Sequence, residues 1–341
     1  MAVVALAAGC AGGTPAPAHP SASTASTGAG TASTVPPVFA ASLMPAKPGR
    51  GLGDRLALLS SRTGDLLRWL TAQPEKATDG ALSVRDGWVY FVSYPIDPSS
   101  PSGSPSPAIW RVRVTGGQAQ LVQAGASDYA VSQDGRAVAY VISADHGNVV
   151  EIVARNLVTG RRNTIIMATK PSPEANNWPP GVFGLTWAPD DVHLAVQFQL
   201  TAAINSVLVF DAFTATTIRD ARTAPTPCTV AYSYQCDGYD PAYLASGALT
   251  YVIQRLNRSG AHSASLVAWQ AGHPTTVLSF PGWASQIYDM TARGQAIWVD
   301  SPGQLKGPWT IWRWSSGAPV KITALPPLGA SLYYEVGAIA W

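Results

Sequence analysis

The sequence is poor in charged residues. Only 12% of its 341 residues are charged, whereas about 25% is usual for a soluble domain. The 22 basic and 20 acidic side chains nearly cancel, to a formal net charge of +2. No basic run is present, and nucleic-acid binding needs a concentrated positive surface. We therefore expect no nucleic-acid partner. The hydrophobic fraction of 47% also excludes a charge-driven disordered chain.

Long apolar runs and ligand-like spacings are absent too. The longest apolar stretch covers residues 2–9, whereas a membrane-spanning helix needs about 20 residues, so we expect no transmembrane helix. The 5 histidines show no metal-ligand spacing, and no Gly-x-Ser-x-Gly motif of a serine hydrolase occurs. The sequence therefore predicts no metal site and no cofactor, and it favours a binding protein over an enzyme.

Cysteine is scarce, with 3 in the whole chain. Cys228 and Cys236 lie close together in sequence, and in an oxidising compartment a local disulfide is the default for such a pair. The alternatives are two buried thiols or half of a metal site. We predict the disulfide.

The third cysteine, Cys10, ends a short run of small apolar residues, Ala5-Leu6-Ala7-Ala8-Gly9. This run resembles the lipobox of bacterial lipoproteins, although no Lys or Arg precedes it. The resemblance implies that residues 1–9 are the remnant of a signal peptide and that the Cys10 thiol carries a lipid. The protein would then be extracytoplasmic and anchored to the cell membrane. An incidental Ala-rich leader is the alternative.

Residues 11–37 are almost wholly Gly, Ala, Ser, Thr and Pro. Such a segment cannot bury enough apolar surface to offset its chain entropy. We predict that residues 10–47 hold the lipobox cysteine and a disordered linker, and that residues 48–341 form the folded body.

One unit recurs along the folded body: a short strand, a tight turn and a strand with alternating apolar residues. Gly and Asp permit the positive φ angles that tight hairpins require. The first turns lie at Gly87, Gly135, Asp191, Gly247, Gly294 and Gly337. Second turns follow at Gly116, Gly160, near Thr214, at Gly272 and at Gly317. This spacing is typical of blades with four strands.

The sixth copy of the unit stops at Trp341, directly after its predicted second strand. The segment 55–69, with a turn at Gly64, supplies the missing third and fourth strands. Strands from both ends of the chain would then share one blade and remove the open edges of the array. The predicted fold is all-β: a six-bladed β-propeller closed by N-terminal strands that complete the C-terminal blade.

The copy from Leu185 to Val196 contains Trp187-Ala188-Pro189-Asp190-Asp191. It resembles the W-[ST]-P-D-G-x-x-[IL]-[AV] repeat of TolB-type, WD40-like propellers, and departs from it at Ala188 and Asp191. In that repeat the Trp packs between blades, and the Pro and Asp shape the turn. The resemblance implies a periplasmic or extracellular scaffold that binds a peptide or protein at one mouth of its channel.

Several tyrosines and acidic residues precede the first turns, where an innermost strand is expected. The candidate channel-mouth residues are Tyr129, Tyr239, Tyr288, Tyr333, Asp128, Asp240, Asp289 and Glu335. Tyrosine offers a flat apolar face with a polar tip, which suits the binding of a peptide or a sugar. The alternative is that the tyrosines are core residues between blades. Paired carboxylates at the mouth would suit glycoside chemistry.

These observations favour one function and leave a second open. We predict an extracytoplasmic, lipid-anchored propeller that binds a protein or peptide partner and acts as a scaffold. The alternative is a cell-envelope protein that binds or cleaves glycan at the channel mouth.

Overall fold

The computed structural model describes a set of segments in which every regular element is a β-strand. These segments are 38–45, 55–60, 63–71, 82–93, 107–144, 149–169, 181–201, 204–221, 236–244, 246–256, 262–270, 273–280, 284–290, 296–300, 310–314, 320–324 and 334–340. No helix long and apolar enough to cross a membrane occurs in them. Cys10 and the greater part of the predicted linker lie outside the described residues.

The strands are numbered in chain order. They are β1 (Val38–Pro45), β2 (Arg55–Ser60), β3 (Leu66–Trp69), β4 (Ser83–Arg85), β5 (Trp88–Ser93), β6 (Ala108–Arg113), β7 (Gln120–Ala124), β8 (Ala126–Val131), β9 (Ala137–Ala144), β10 (Val149–Asn156), β11 (Arg162–Thr169), β12 (Gly181–Trp187), β13 (His193–Thr201), β14 (Ile204–Asp211), β15 (Thr217–Ala221), β16 (Cys236–Tyr243), β17 (Leu249–Leu256), β18 (His262–Gln270), β19 (His273–Phe280), β20 (Ala284–Met290), β21 (Ala296–Asp300), β22 (Thr310–Trp314), β23 (Val320–Ala324) and β24 (Tyr334–Ala340).

These strands form four-stranded antiparallel sheets with the orders β24-β1-β2-β3 (sheet 1), β4-β5-β6-β7 (sheet 2), β8-β9-β10-β11 (sheet 3), β12-β13-β14-β15 (sheet 4), β16-β17-β18-β19 (sheet 5) and β20-β21-β22-β23 (sheet 6). The first strand of each sheet contacts the first strand of the next, in the series β24, β4, β8, β12, β16, β20 and back to β24. The sheets therefore radiate from a ring of inner strands. The predicted all-β propeller fold is confirmed.

The two ends of the folded chain meet in sheet 1. Strand β1 pairs with β24 on one side and with β2 on the other, so that Ala41 lies opposite both Ile339 and Ala57. This confirms that N-terminal strands complete the C-terminal sheet. The predicted division of strands is wrong, because the C-terminal end supplies one strand instead of two. Strand β24 runs through Gly337, which occupies a register shift between Val336 and Ala338 where a turn is predicted.

Strand β1 also corrects the predicted linker. It lies within residues 10–47, so the folded body begins at or before Val38 and not at residue 48. The physical reason is burial: Phe39 and Leu43 are completely buried in sheet 1. The apolar run around them is short and follows a long Pro- and Ala-rich segment, and its composition alone does not separate it from that segment.

Most of the predicted turns are confirmed. Gly87, Gly135 and Gly247 have positive φ angles, and Asp191 adopts the same left-handed conformation with a φ of 56°. The second turns at Gly116, Gly160 and Ala215, and the turn at Gly64, also have positive φ angles. Gly272, Gly294 and Gly317 lie outside the described residues.

The hydrophobic core lies between neighbouring sheets. In β5, for example, Trp88 and Tyr90 face sheet 3, whereas Val89 and Phe91 face sheet 1. All four side chains are buried. A strand that is buried on both faces is apolar at nearly every position, which explains the continuous apolar runs in the sequence.

Candidate functional site

The first two candidate residues, Tyr129 and Asp128, are neighbours on the inner strand β8 but have different surroundings. Tyr129 is only 4% exposed. It packs with Trp88, Tyr90 and Tyr140 in the core between sheets 2 and 3. The channel-mouth assignment of Tyr129 is therefore corrected to the alternative, a core residue. Because both faces of an inner strand are covered by neighbouring sheets, a tyrosine on it can serve packing as well as binding.

Asp128 follows a register shift in β8 and lies opposite Val141. Strand alternation places its side chain on the opposite face from Tyr129. Its Oδ1 accepts a hydrogen bond of 2.8 Å from the Tyr129 backbone N–H. Burial raises the pKa of the Asp128 carboxyl to about 6, although this hydrogen bond acts in the opposite direction. Among the described residues, no basic side chain forms an ion pair with it.

The other candidates are placed by the backbone. The fold brings several of them to the ring of inner strands that contains Asp128: Tyr239 and Asp240 lie on β16, Tyr288 and Asp289 on β20, and Glu335 on β24. Their predicted position on inner strands is confirmed. Their side chains, and the whole of Tyr333, lie outside the described residues, so their role at a channel mouth stays a prediction.

The first turns of sheets 2, 3 and 4 form a connected surface, which we call the turn face. The backbone N–H of Gln133, in sheet 3, donates a hydrogen bond of 2.5 Å to Oδ1 of Asp191, in sheet 4. On the other side, the turn of sheet 2 approaches so closely that a Cβ on Gly135 would lie 2.8 Å from the Cβ of Asp86. These contacts fix the three turns relative to one another. The sequence shows only that Asp191 replaces the usual glycine.

Two aspartates on the turn face have opposite pKa shifts. Burial raises the pKa of Asp191 more strongly than the hydrogen bond from the Gln133 N–H lowers it. Burial also acts on Asp190, but hydrogen bonds from the backbone of His193 and Val192 lower the pKa of that carboxyl below its usual value. Asp190 therefore caps the turn as a carboxylate, as the repeat motif implies.

Trp187 performs the packing role that the repeat implies. Its side chain is 1% exposed, and its Nε1 donates a hydrogen bond of 3.0 Å to the backbone carbonyl of Ala130 in sheet 3. The ring also lies 6.1 Å from that of Phe213, centroid to centroid. Trp187 thus joins sheet 4 to the inner strand that carries Asp128.

The two paired-cysteine candidates are described only in part. Cys236 is the first residue of β16, and Cys228 lies outside the described residues. Their disulfide stays a prediction.

No protein-family model matches the chain, and no curated protein matches it. Solved structures do match. A TolB candidate from Agrobacterium tumefaciens is 13% identical, with 84% of this chain and 87% of that one covered and a TM-score of 0.50. The β-propeller domain of the trilobed protease from Pyrococcus furiosus is 14% identical, with 72% and 70% covered and a TM-score of 0.46.

A third match is the acylaminoacyl peptidase of Pyrococcus horikoshii, at 14% identity and a TM-score of 0.45. The match covers 72% of this chain but only 39% of the peptidase. Identities this low establish a common fold and nothing about activity. The chain thus has a β-propeller fold like that of the TolB candidate.

Proposed function

We propose that this protein is a closed six-bladed propeller that binds a protein or peptide partner at one mouth of its central channel. The proposal includes export and anchoring to the cell membrane by a lipid on Cys10. The ring of inner strands supports the closed architecture, and the resemblance of the Trp187 repeat to TolB-type propellers supports the scaffold role. Labelling cells with radioactive palmitate, with Cys10→Ser as the control, tests the anchor.

The observation that carries the binding proposal is that the Asp128 carboxyl group is shielded from water and has no basic partner among the described residues. Asp128 is half-buried, and removing a carboxyl group from water costs free energy unless a partner compensates it. The only hydrogen bond to this carboxyl group from the described residues is one backbone N–H. Groups with such perturbed pKa values are concentrated at functional sites. A partner that places a Lys or Arg side chain, or a terminal amine, at the mouth would supply the missing positive charge.

The test compares the full-length protein with two variants, Asp128→Asn and Asp65→Asn. The amide of the first variant would keep an oxygen acceptor for the Tyr129 N–H, so we expect the fold to persist, and Asp65 is an exposed turn residue in sheet 1. Each protein is used to capture partners from envelope extract, and the captured proteins are quantified. The proposal predicts a partner that is retained by Asp65→Asn and lost by Asp128→Asn. Equal capture by all three proteins would exclude the Asp128 region as the binding site.

The same observation favours a second candidate function. A carboxyl group with a pKa of about 6 has the property of a general acid in glycoside cleavage, which requires a second carboxylate about 5–10 Å away. Asp240, Asp289 and Glu335 are the candidates for that second group. Release of reducing ends from envelope glycan by the wild type, and not by Asp128→Asn, would establish this function in place of protein binding.

A further inference from the structure

Four arginines lie along the junction where sheet 2 packs against sheet 3. Arg111 and Arg113 lie on β6, Arg155 lies on β10 and Arg162 on β11. We call these four residues the arginine cluster. They come from two different sheets, so the folded structure concentrates positive charge that is dispersed in the sequence.

Two members of the cluster are held on one aromatic ring. The guanidinium carbons of Arg111 and Arg113 lie 4.3 and 3.9 Å from the centroid of the Trp88 ring. Arg111 Nε also donates a hydrogen bond of 3.3 Å to Oε1 of Gln120. Cation–π contacts and this hydrogen bond orient the two guanidinium groups without neutralising them. Preorganised cations of this kind bind an anion with little further loss of side-chain entropy.

The other two members approach from sheet 3. Arg155 Nη1 donates a hydrogen bond of 2.9 Å to the backbone carbonyl of Val122 in sheet 2. Arg162 lies 5.9 Å from the centroid of the Tyr140 ring. Both positive charges lower the pKa of the Tyr140 hydroxyl, although burial raises it more strongly. Tyr140 belongs to the same buried cluster as Trp88, which places all four arginines at one junction.

Polar atoms without partners lie at the same junction. Within the described part of the chain, Nε of Arg155 and the hydroxyl of Tyr90 are buried and have no hydrogen-bond partner. Buried polar atoms are paired in the large majority of cases, and an exception calls for a specific explanation. Arg155 Nε belongs to the cluster itself, so the hydrogen bonding of the cluster is incomplete within the described part of the chain.

The described carboxylates do not neutralise the cluster. Glu151 is close enough for its charge to act on Tyr140, but the ion pairs of the described residues involve Arg136 and His193 and none of the four arginines. Gathering like charges opposes folding. The whole chain has a formal net charge of only +2, so the excess of positive charge at the arginine cluster is a local feature.

We propose that the arginine cluster binds an acidic peptide segment of a protein partner. Guanidinium groups bind carboxylates with two parallel hydrogen bonds, a geometry that lysine does not provide. An apolar side chain lies on the same face of sheet 3 as Arg155. This is Met167, which is 62% exposed and lies directly opposite Glu151. This combination suits a peptide with acidic and apolar side chains better than a phosphate polymer. The cluster lies on the third and fourth strands of its sheets and not on the inner strands that carry Asp128 and the other mouth candidates, so its test is independent of the function proposed above.

The test measures fluorescence anisotropy of a labelled oligoglutamate peptide titrated with the full-length protein at low ionic strength. The test variant is Arg113→Gln/Arg162→Gln. The matched control is Arg68→Gln/Arg161→Gln, which removes the same charge from two other exposed arginines. We expect the test variant to weaken binding about tenfold or more, since each substitution removes a charge-assisted hydrogen bond, and the control to bind like the wild type. Circular dichroism verifies the fold of both variants.

A third variant, Arg113→Lys/Arg162→Lys, keeps the charge but not the forked geometry. Binding that stays weak in this variant supports bidentate recognition and also excludes a simple charge effect. Equal weakening by the test and control variants, or equal binding of an oligoglutamine peptide, would overturn the proposal. Tighter binding of polyphosphate than of oligoglutamate, with the same dependence on the cluster, would replace the peptide by a phosphate polymer and likewise overturn it.

Discussion

The Asp191 carboxylate accepts a hydrogen bond from the backbone N–H of Gln133, a residue 58 positions earlier in the sequence, at 2.5 Å. The bond joins the first turn of sheet 4 to that of sheet 3. Asp191 forms it from a left-handed backbone conformation, with a φ of 56°, in which glycine is normally favoured. Asp191 therefore combines an unfavourable backbone conformation with a hydrogen bond between two sheets.

Substitutions of Asp191 separate these two effects. Asp191→Gly relieves about 1 kcal/mol of backbone strain but loses a charge-assisted hydrogen bond worth about 1.5–3 kcal/mol, so we expect a net loss of stability of about 1 kcal/mol. Asp191→Asn keeps an acceptor and tolerates the left-handed conformation, and it should cost less. Asp191→Ala loses the bond and keeps the strain, and it should cost most. Urea unfolding gives the order, and an Asp191→Gly variant more stable than the wild type would show that the bond contributes nothing.

Tyr129 provides a test of the core assignment. Its side chain is 4% exposed, and truncating a large buried aromatic residue costs about 3–5 kcal/mol. We expect Tyr129→Ala to lower the melting temperature strongly. Leu121→Ala, which truncates a side chain that is 54% exposed, should change it little. If Tyr129→Ala melts like the wild type, Tyr129 does not serve the core.

Asp128 predicts a specific pH dependence of stability. Its pKa is about 6 in the folded protein, against an ordinary value of 3.8. The folded state therefore binds the proton more tightly than the unfolded state, and stability is lost as the pH rises through this interval. The loss is on the order of 3 kcal/mol. We expect Asp128→Asn to be more stable than the wild type at pH 7.

The difference between Asp128→Asn and the wild type should vanish near pH 4, where the carboxyl group is protonated in the folded state. Urea unfolding of both proteins across this pH range measures the effect. A constant difference at all pH values would mean that the Asp128 carboxyl group is not desolvated.

The extent to which the sequence predicts this structure depends on whether a feature is local. The turns at Gly87 and Gly135 follow from residues that adopt positive φ, and they are predictable because turn chemistry is confined to a few adjacent residues. The meeting of both chain ends in sheet 1 follows from the interrupted repeat. The identity of the strands that form sheet 1 does not follow from the sequence, since β1 resembles the Pro- and Ala-rich segment before it.

The candidate site is predictable only at the level of strands. The sequence places Tyr129 and Asp128 on an inner strand, but strand alternation alone does not tell which of the two side chains packs into the hydrophobic core. The Asp191 to Gln133 bond and the arginine cluster depend on how separate sheets pack together. Contacts of this kind leave no local pattern, which is why the sequence does not group residues as distant as Arg113 and Arg162.

A cross-link between the two ends of the folded chain tests whether sheet 1 closes the propeller. Ala41 and Ile339 are directly opposite in β1 and β24, and opposite residues of antiparallel strands have Cα atoms about 4.5–5.5 Å apart, within the range of a disulfide. The variant Ala41→Cys/Ile339→Cys is prepared with Cys10→Ser, Cys228→Ser and Cys236→Ser, and the control pair is Ala41→Cys/Ala340→Cys, in which the two side chains lie on opposite faces of the sheet. Closure of the propeller through sheet 1 predicts that mild oxidation joins the peptides containing residues 41 and 339 within one molecule, and that the control pair stays reduced. No intramolecular cross-link in the first pair, or equal cross-linking in both, would contradict it.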